Sequence, residues 1–382
     1  MMGDVAGSLT LERVRQDIDV LSRAGLDTAT FVNEVDASLQ RAVPFRASCV
    51  AMVDPASLLL TGTFKFGELY GNDTKDHEWG LIEYSLEEDS CFADLAVREV
   101  PAMAMQLQTG GDTHRSARMR ELIHPHFGYS DELRLVARHG HQAWGGLALF
   151  RAAGDPAFTD TEVAYLAALS PVIALGLRSG LLARLSADAG SRGGESGPAV
   201  VIVGSDDTVQ QLSVGAEHVL RDLAAGPNMA DASGIVGALV AGARRYGAGL
   251  APSLPQARVR LHSGRWLVLH ASPLAGLGRA SSDVVITMEE ARPPEIVPLV
   301  VAAFDLTPRE RDVAQLVLQG VETKEIAATL HMSRYTVQDH LKSIFEKADV
   351  RSRRELIARV FFDQYLPRMG GDLTPSGWFA ET

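Results

Sequence analysis

The chain has 382 residues, 46% hydrophobic and 22% charged, an ordinary globular composition at a length that favours two or three domains. Its 36 Lys and Arg stand against 48 Asp and Glu, a net charge of −12; this excludes a protein that coats a polyanion along its whole length and confines any such contact to a locally basic segment. Cys49 and Cys91 are the only cysteines, which excludes a disulfide framework and fits a reducing compartment.

In chain order, residues 1–10 lack a basic end followed by an apolar run, so no leader is expected and the cytoplasm is the expected location. Residues 9–25 place Leu11, Val14, Ile18 and Leu21 on one helical face, and 31–43 read as a second helix. A strand is expected at 48–53, and another begins within 57–64; 132–137 and 144–150 alternate as a hairpin around Gly140. Thr159 and Glu162 form a capping box that opens a long helix to residue 185, through Val163, Leu166, Ile173, Leu177 and Leu181. Pro171 should bend it. Ser170, Pro171, Arg178 and Ser179 interrupt its apolar run, so no membrane span is expected. The helix has two open readings: packing on its own sheet, or a dimer seam. Residues 187–198 are rich in Gly and Ser, a flexible linker. Five strands follow at 199–203, 208–212, 258–262, 265–272 and 282–288, with helices at 213–224 and 231–246 between the second and third. Arg292-Pro293-Pro294 to Pro298 reads as a shorter, stiffer connection.

The last quarter carries the densest pattern. Thr307, Pro308 and Glu310 supply an N-cap, a first-turn proline and the reciprocal acid of a capping box. Val313, Leu316 and Val317 follow at helical spacing, and Gly320 is placed to end that helix. Thr323 is a candidate cap for a short second helix with Ile326, Ala327 and Leu330 inward. Ser333 caps a third, with Val337, Leu341, Ile344 and Phe345 inward and Gln338, Asp339 and Lys342 outward. Ser352 caps a fourth, on which Leu356, Ile357, Val360 and Phe361 form an apolar stripe. Two short helices joined by a tight turn, the second with an exposed polar face, are the helix-turn-helix plan, whose second helix enters the DNA major groove. Arg334, Lys342, Lys347, Arg351, Arg353 and Arg354, offset by Asp339, Glu346 and Asp349, leave this stretch basic, as phosphate contact requires.

Leu306 to about residue 362 resembles the LuxR-type (NarL-type) DNA-binding domain, carried by Leu306-Thr307-Pro308-Arg309-Glu310, Gly320, Lys324-Glu325-Ile326-Ala327, Met332-Ser333, Thr336-Val337, His340, Lys347 and Val350-Arg351-Ser352-Arg353. The expected DNA contacts are Lys324, Ser333, Arg334, Thr336, Gln338, Asp339, Lys342, Arg351 and Arg353; Leu356, Ile357, Val360 and Phe361 leave an apolar stripe beyond the three-helix core that needs cover, and are the expected dimer seam. The family often has Asn where Thr323 stands, Leu at Ala348, Lys at Gln338, and Val or Thr at Asp339. Gln can read adenine and Asp can accept from cytosine, so these departures alter the expected site rather than abolish it. Upstream, Asp131-Glu132-Leu133-Arg134, Trp144-Gly145-Gly146-Leu147 and Ala157-Phe158-Thr159-Asp160 resemble a GAF domain, a small-ligand sensor. The later order of two strands, helices and three strands, with Arg258-Val259-Arg260-Leu261 and Gly264-Arg265-Trp266-Leu267 as a hairpin, is similar to a PAS fold.

Other residues invite blander readings. His124 and His126 lack a third ligand at metal spacing and read as a polar loop, so no metal site is expected. His139 and His141 sit at a hairpin turn. Cys49 reads as a buried strand thiol, and the run Glu87, Glu88 and Asp89 should raise the Cys91 pKa. Trp79, Tyr84, Trp144 and Phe150 are pocket walls or, more simply, core. There is no phosphate-binding glycine loop, zinc-protease helix motif or nucleophile elbow, and Gly276-Leu277-Gly278 has Ser281 where a third glycine is wanted, so no enzyme is expected. The acidic pair, central Asp and later Lys of a phosphoacceptor receiver are missing too.

The expected architecture is an α+β multidomain chain: an N-terminal helix (1–27), a GAF-like antiparallel-sheet domain (28–185), a linker (186–198), a PAS-like antiparallel-sheet domain (199–290), a linker (291–303), an all-α four-helix helix-turn-helix domain (304–366) and a tail (367–382). The expected function is a dimeric transcription regulator of double-stranded DNA, controlled by a small-molecule effector or a partner and acting on RNA polymerase, with no membrane contact and no cofactor specified. The alternative is that the upstream domains are interaction or dimerisation scaffolds without a ligand.

Overall fold

A computed structural model describes residues 2–85, 88, 90–183, 199–275 and 282–362. The expected first two helices are α1 (Met2–Arg23) and α2 (Thr28–Ala42). Asp27 caps α2, its carboxylate accepting from the backbone N–H of Ala29 at 3.0 Å and Thr30 at 3.2 Å. Val14 and Ile18, then Phe31, Val35 and Leu39, fill the helix faces turned inward.

The first sheet comprises β1 (Ala47–Val53), β2 (Leu60–Gly67), β3 (Ala102–Ala104), β4 (Tyr129–His139) and β5 (Gln142–Ala152), in the order β2-β1-β5-β4-β3. Gly140 takes φ 59° in the tight β4–β5 turn, the left-handed conformation that glycine adopts without a Cβ penalty. Between β2 and β3 run α3 (Asp76–Ser85) and α4 (Phe92–Val97); between β3 and β4 run α5 (Met105–Thr109) and α6 (His124–Phe127). α7 (Asp160–Ala183) packs on β4, α1 and α2, with Leu166, Leu169, Ile173, Ala174 and Leu177 buried. Of its two readings, the structure displays the packing on its own sheet. Contrary to expectation, α7 is long and apolar enough to cross a membrane by length and composition. One of the residues thought to disqualify it, Ser170, pins it to the sheet: its hydroxyl donates to Val136 O at 2.7 Å and accepts from Arg138 N at 3.1 Å.

The second sheet comprises β6 (Ala199–Val203), β7 (Val209–Leu212), β8 (Gln256–Arg260), β9 (Trp266–Pro273) and β10 (Val284–Glu290), with α8 (Val214–Leu223) and α9 (Ser233–Gly247) between β7 and β8. Its order, β7-β6-β10-β9-β8, repeats that of the first: second, first, fifth, fourth, third. Both sheets are antiparallel throughout.

These two lobes form one unit through Glu290. α3 crosses α9 so closely that a Cβ on Gly80 would lie 2.2 Å from Gly234 O, and one on Gly237 2.2 Å from His77 O. Residues 228–230 run along the open edge of β2: Lys65 N donates to Asn228 O, and Ala230 N donates to Thr63 O, each at 2.9 Å. Arg258 donates through Nε to Asp54 at 2.7 Å, an ion pair with both side chains largely buried. Leu59, from the first lobe, sits in the hydrophobic core of the second. The linker read at 186–198 lies outside the described residues.

The described residues of the second unit begin at Ala291. The segment expected to be a stiff connection is a helix, α10 (Pro293–Ala303), with Ile296, Leu299, Val300 and Ala303 buried. Its two leading prolines start the helix rather than break it, because the first helical N–H groups have no intrahelical partner to lose. α11 (Pro308–Leu318), α12 (Thr323–Thr329), α13 (Arg334–Lys347) and α14 (Arg353–Ile357) follow, and α14 continues as a wider π turn, Ala358–Phe362.

Candidate nucleic-acid interface

α11 is fixed by the expected capping box. Glu310 accepts from Thr307 N at 2.7 Å, and Thr307 Oγ1 accepts from Glu310 N at 3.3 Å. The same carboxylate, buried within the unit, accepts from Ser343 Oγ and Lys347 Nζ of α13, each at 2.6 Å. Burial pushes the Glu310 carboxyl up, but the bonds from Lys347, Ser343 and Thr307 outweigh it and hold it at about 2. One acid therefore caps the first helix and orients the third. Lys347, expected at a phosphate, is held by this pair.

The turn between α12 and α13 closes on His331, at φ 52°, while Met332 N donates to Ala327 O at 2.9 Å. Thr323 is the first residue of α12 rather than its cap; Glu322 holds the cap position in extended backbone, without a side-chain cap bond. Ser333 caps α13, its Oγ accepting from Thr336 N at 3.0 Å and lying 2.8 Å from Thr336 Oγ1. Val337 and Ile344 are fully buried, and Leu341 and Phe345 half-buried. Lys324, Ser333, Arg334, Thr336, Gln338, Asp339, Lys342 and Arg351 are all exposed. Arg353 is half-buried and donates to Val321 O at 2.7 Å, which ties α14 to the end of α11. Tyr335, passed over in the sequence, is 74% exposed. Its spacing from Asp339 and Lys342 puts it on their helical face, and an aromatic ring bared beside polar neighbours was the available signal.

Leu356 and Val360 do not form the bare stripe expected of them. Each is 1% exposed, within packing of α14 on α11 and of the π turn on α10. Ile357 is half-buried, and the Phe361 side chain lies outside the described residues. The expectation failed because α10, which supplies the cover, was read as linker.

In the first lobe His124 bonds Thr113 at 2.9 Å and stacks on His114; His139 and His141 are exposed. Burial pushes the Cys49 thiol up to about 12 and, with the Glu83 charge, the Cys91 thiol up to about 11. The acid beside Cys91 is thus Glu83; Glu87 and Asp89 lie outside the described residues. Trp144 and Phe150 are core, whereas Trp79 and Tyr84 line a cavity. Beside it lies a buried charge network that sequence reading missed: Glu83 and Glu132 accept from both Arg118 and Arg134 at 2.7–3.0 Å. Its signal was a pair of opposite charges, Glu132 and Arg134, two apart on one face of a buried strand.

Residues 305–360 match the bacterial regulatory proteins of the luxR family (GerE). The transcriptional regulatory protein DesR of Bacillus subtilis (strain 168) is 36% identical over 92 residues, 24% of this chain and 46% of that protein. The nitrate/nitrite response regulator protein NarL of Escherichia coli (strain K12) is 44% identical over 50 residues, 13% of this chain and 23% of that protein. The chain spans less than half the length of these curated relatives. Among solved structures, the Vibrio cholera VqmA–ligand–DNA complex aligns over 45% of this chain and 85% of that one, at 16% identity and a TM-score of 0.23, too slight a likeness to carry an argument. The C-terminal module is a LuxR-type helix-turn-helix DNA-binding domain.

Proposed function

We propose that this chain is a sequence-specific transcription regulator, acting in the cytoplasm as a homodimer on duplex DNA, in which a small molecule or partner taken up by the upstream lobes shifts the population of DNA-competent molecules. RNA polymerase is the proposed downstream partner. The observation that carries the reading is the face of α13: Tyr335, Gln338, Asp339 and Lys342 are exposed together on a helix clamped from behind by Glu310. A rigid helix with a polar outer face is what a major groove accepts. The shared strand order of the two lobes supports GAF-like and PAS-like sensory roles. Pairing would use surfaces other than Leu356 and Val360, and a twofold dimer would read inverted half-sites about one helical turn apart, roughly 10 base pairs.

The test is selection of bound sequences from a genomic DNA pool by the full chain, followed by titration at several salt concentrations and sedimentation on one selected site. Two chains on an inverted repeat, with affinity falling as salt rises, are expected. Failure to select any sequence refutes the DNA reading; one chain bound at full affinity refutes the dimer.

A further inference from the structure

The cavity in the first lobe encloses about 50 Å³. Its walls include Cys49, Ala51, Leu60, Trp79, Tyr84 and Phe92, and Gly234 of the second lobe also lines it. Four charged side chains also line it, Lys65, Asp76, Glu83 and Arg118, and every one is engaged inside the protein. Lys65 is paired with Asp76 and, at 3.0 Å, with Asp73; it also donates to Asn72 O at 2.6 Å. Arg118 and Glu83 belong to the closed network with Arg134 and Glu132.

A core selected for stability alone gains little from so many buried ions, since apolar side chains of similar volume do as well or better. Here the ions hold the cavity's aromatic walls. The Arg118 guanidinium lies 5.3 Å from the Trp79 ring centre, and that of Arg134 4.0 Å from Phe92. Tyr84 is fixed separately, its hydroxyl donating to Leu58 O at 2.8 Å. Trp79 and Tyr84 are thus set in place before any guest arrives, which reduces the ordering cost of binding.

We propose that this cavity binds a small uncharged molecule with a mainly apolar body, at most one ring in size; the proposal rests on the reading that the upstream lobes take up a small molecule. A charged guest would lose its hydration against walls whose counter-ions are already taken. Thr63 also lines the cavity, and its hydroxyl has no partner among the described residues, so it is free to take one polar group on the guest. A ring needs more than the present volume, because benzene occupies an engineered cavity of about 150 Å³. Half-buried Phe92, on the six-residue helix α4, is the wall that would move.

Titration calorimetry of the full chain with benzyl alcohol, benzylamine and benzoate varies charge on one ring. Benzyl alcohol should bind once per chain, with the two ions at least tenfold weaker. Thr63→Leu and, separately, Ala51→Leu should each reduce benzyl alcohol affinity at least tenfold in whichever variant melts like wild type. Equal or tighter binding of either ion, no binding of any of the three, or full affinity in a variant that melts like wild type overturns the proposal. DNA affinity is measured in parallel. Benzyl alcohol binding without a change in DNA affinity upholds the cavity and refutes only its signalling role.

Discussion

Glu310 joins two helices of the DNA-binding module through one side chain, so its removal has a magnitude that can be worked out beforehand. Glu310→Ala deletes the reciprocal half of a capping box, about 1 kcal/mol, and a hydrogen bond from Ser343, about 1 kcal/mol. It also deletes the pair with Lys347, whose side chain is 32% exposed; that pair belongs near the surface range of about 0–1 kcal/mol. The total is about 2–3 kcal/mol, or about a 30- to 140-fold rise in hydrogen exchange of the α11 and α13 amides at tenfold per 1.4 kcal/mol. Glu310→Gln keeps an acceptor for Thr307 N and Ser343 and should lose only about a third of this. Acid supplies an independent check. The folded carboxyl sits at about 2 against an ordinary 4.5, so its contribution is fully present above pH 4.5 and is lost as the pH falls from there towards 2. The Gln variant should lack that part of the acid transition. Exchange in Glu310→Ala within threefold of wild type, with an unchanged acid profile, would refute the clamp.

Lys342→Ala should weaken binding to a selected DNA site and lower the salt slope by about one, whereas Gln338→Ala should shift the selected consensus at a cost of about 1–3 kcal/mol on the original site; an identical consensus removes Gln338 from base reading. Gly80→Ala would put a methyl 2.2 Å from Gly234 O and 2.9 Å from Ala238 N; overpacking of this kind costs about 1–3 kcal/mol, so a thermal melt of the full chain should show the two-lobe unit destabilised, and an unchanged melt would mean the α3–α9 crossing is looser than described. Val360→Glu would bury an unpaired charge at a site 1% exposed. It should raise exchange across α10 to α14 while sparing both sheets, and normal protection in that variant would return Val360 to the surface, where the apolar-stripe reading had it.

What was legible in the sequence was local. Thr307 with Glu310, Ser333 with Thr336, and Ser352 with Glu355 act within one helical turn, so residue type and spacing were enough to place the helix starts. All five strands of the second lobe overlap the segments read as strands in the sequence. What was illegible depends on distant partners. Gly80 looks like an ordinary helix interruption until Gly234 is packed on it. Lys347 and Arg353 looked free because Glu310 and the Val321 carbonyl lie more than thirty positions away in the chain. The Glu83–Arg118–Glu132–Arg134 network draws on two separate helical segments and a strand, and only the Glu132–Arg134 half had a sequence signal.

The three residues 228–230 lying along β2 also bear on how such a chain can be recombined. A chimera that kept only the first lobe would bare the backbone edge of β2, a ready template for strand addition, together with a helix face shaped to admit nothing bulkier than hydrogen at Gly80. The second lobe alone would lose Leu59 from its core and leave Arg258 without Asp54. The pair is therefore the transferable cassette, and the boundary at which a different output module can be spliced falls between Glu290 and Ala291.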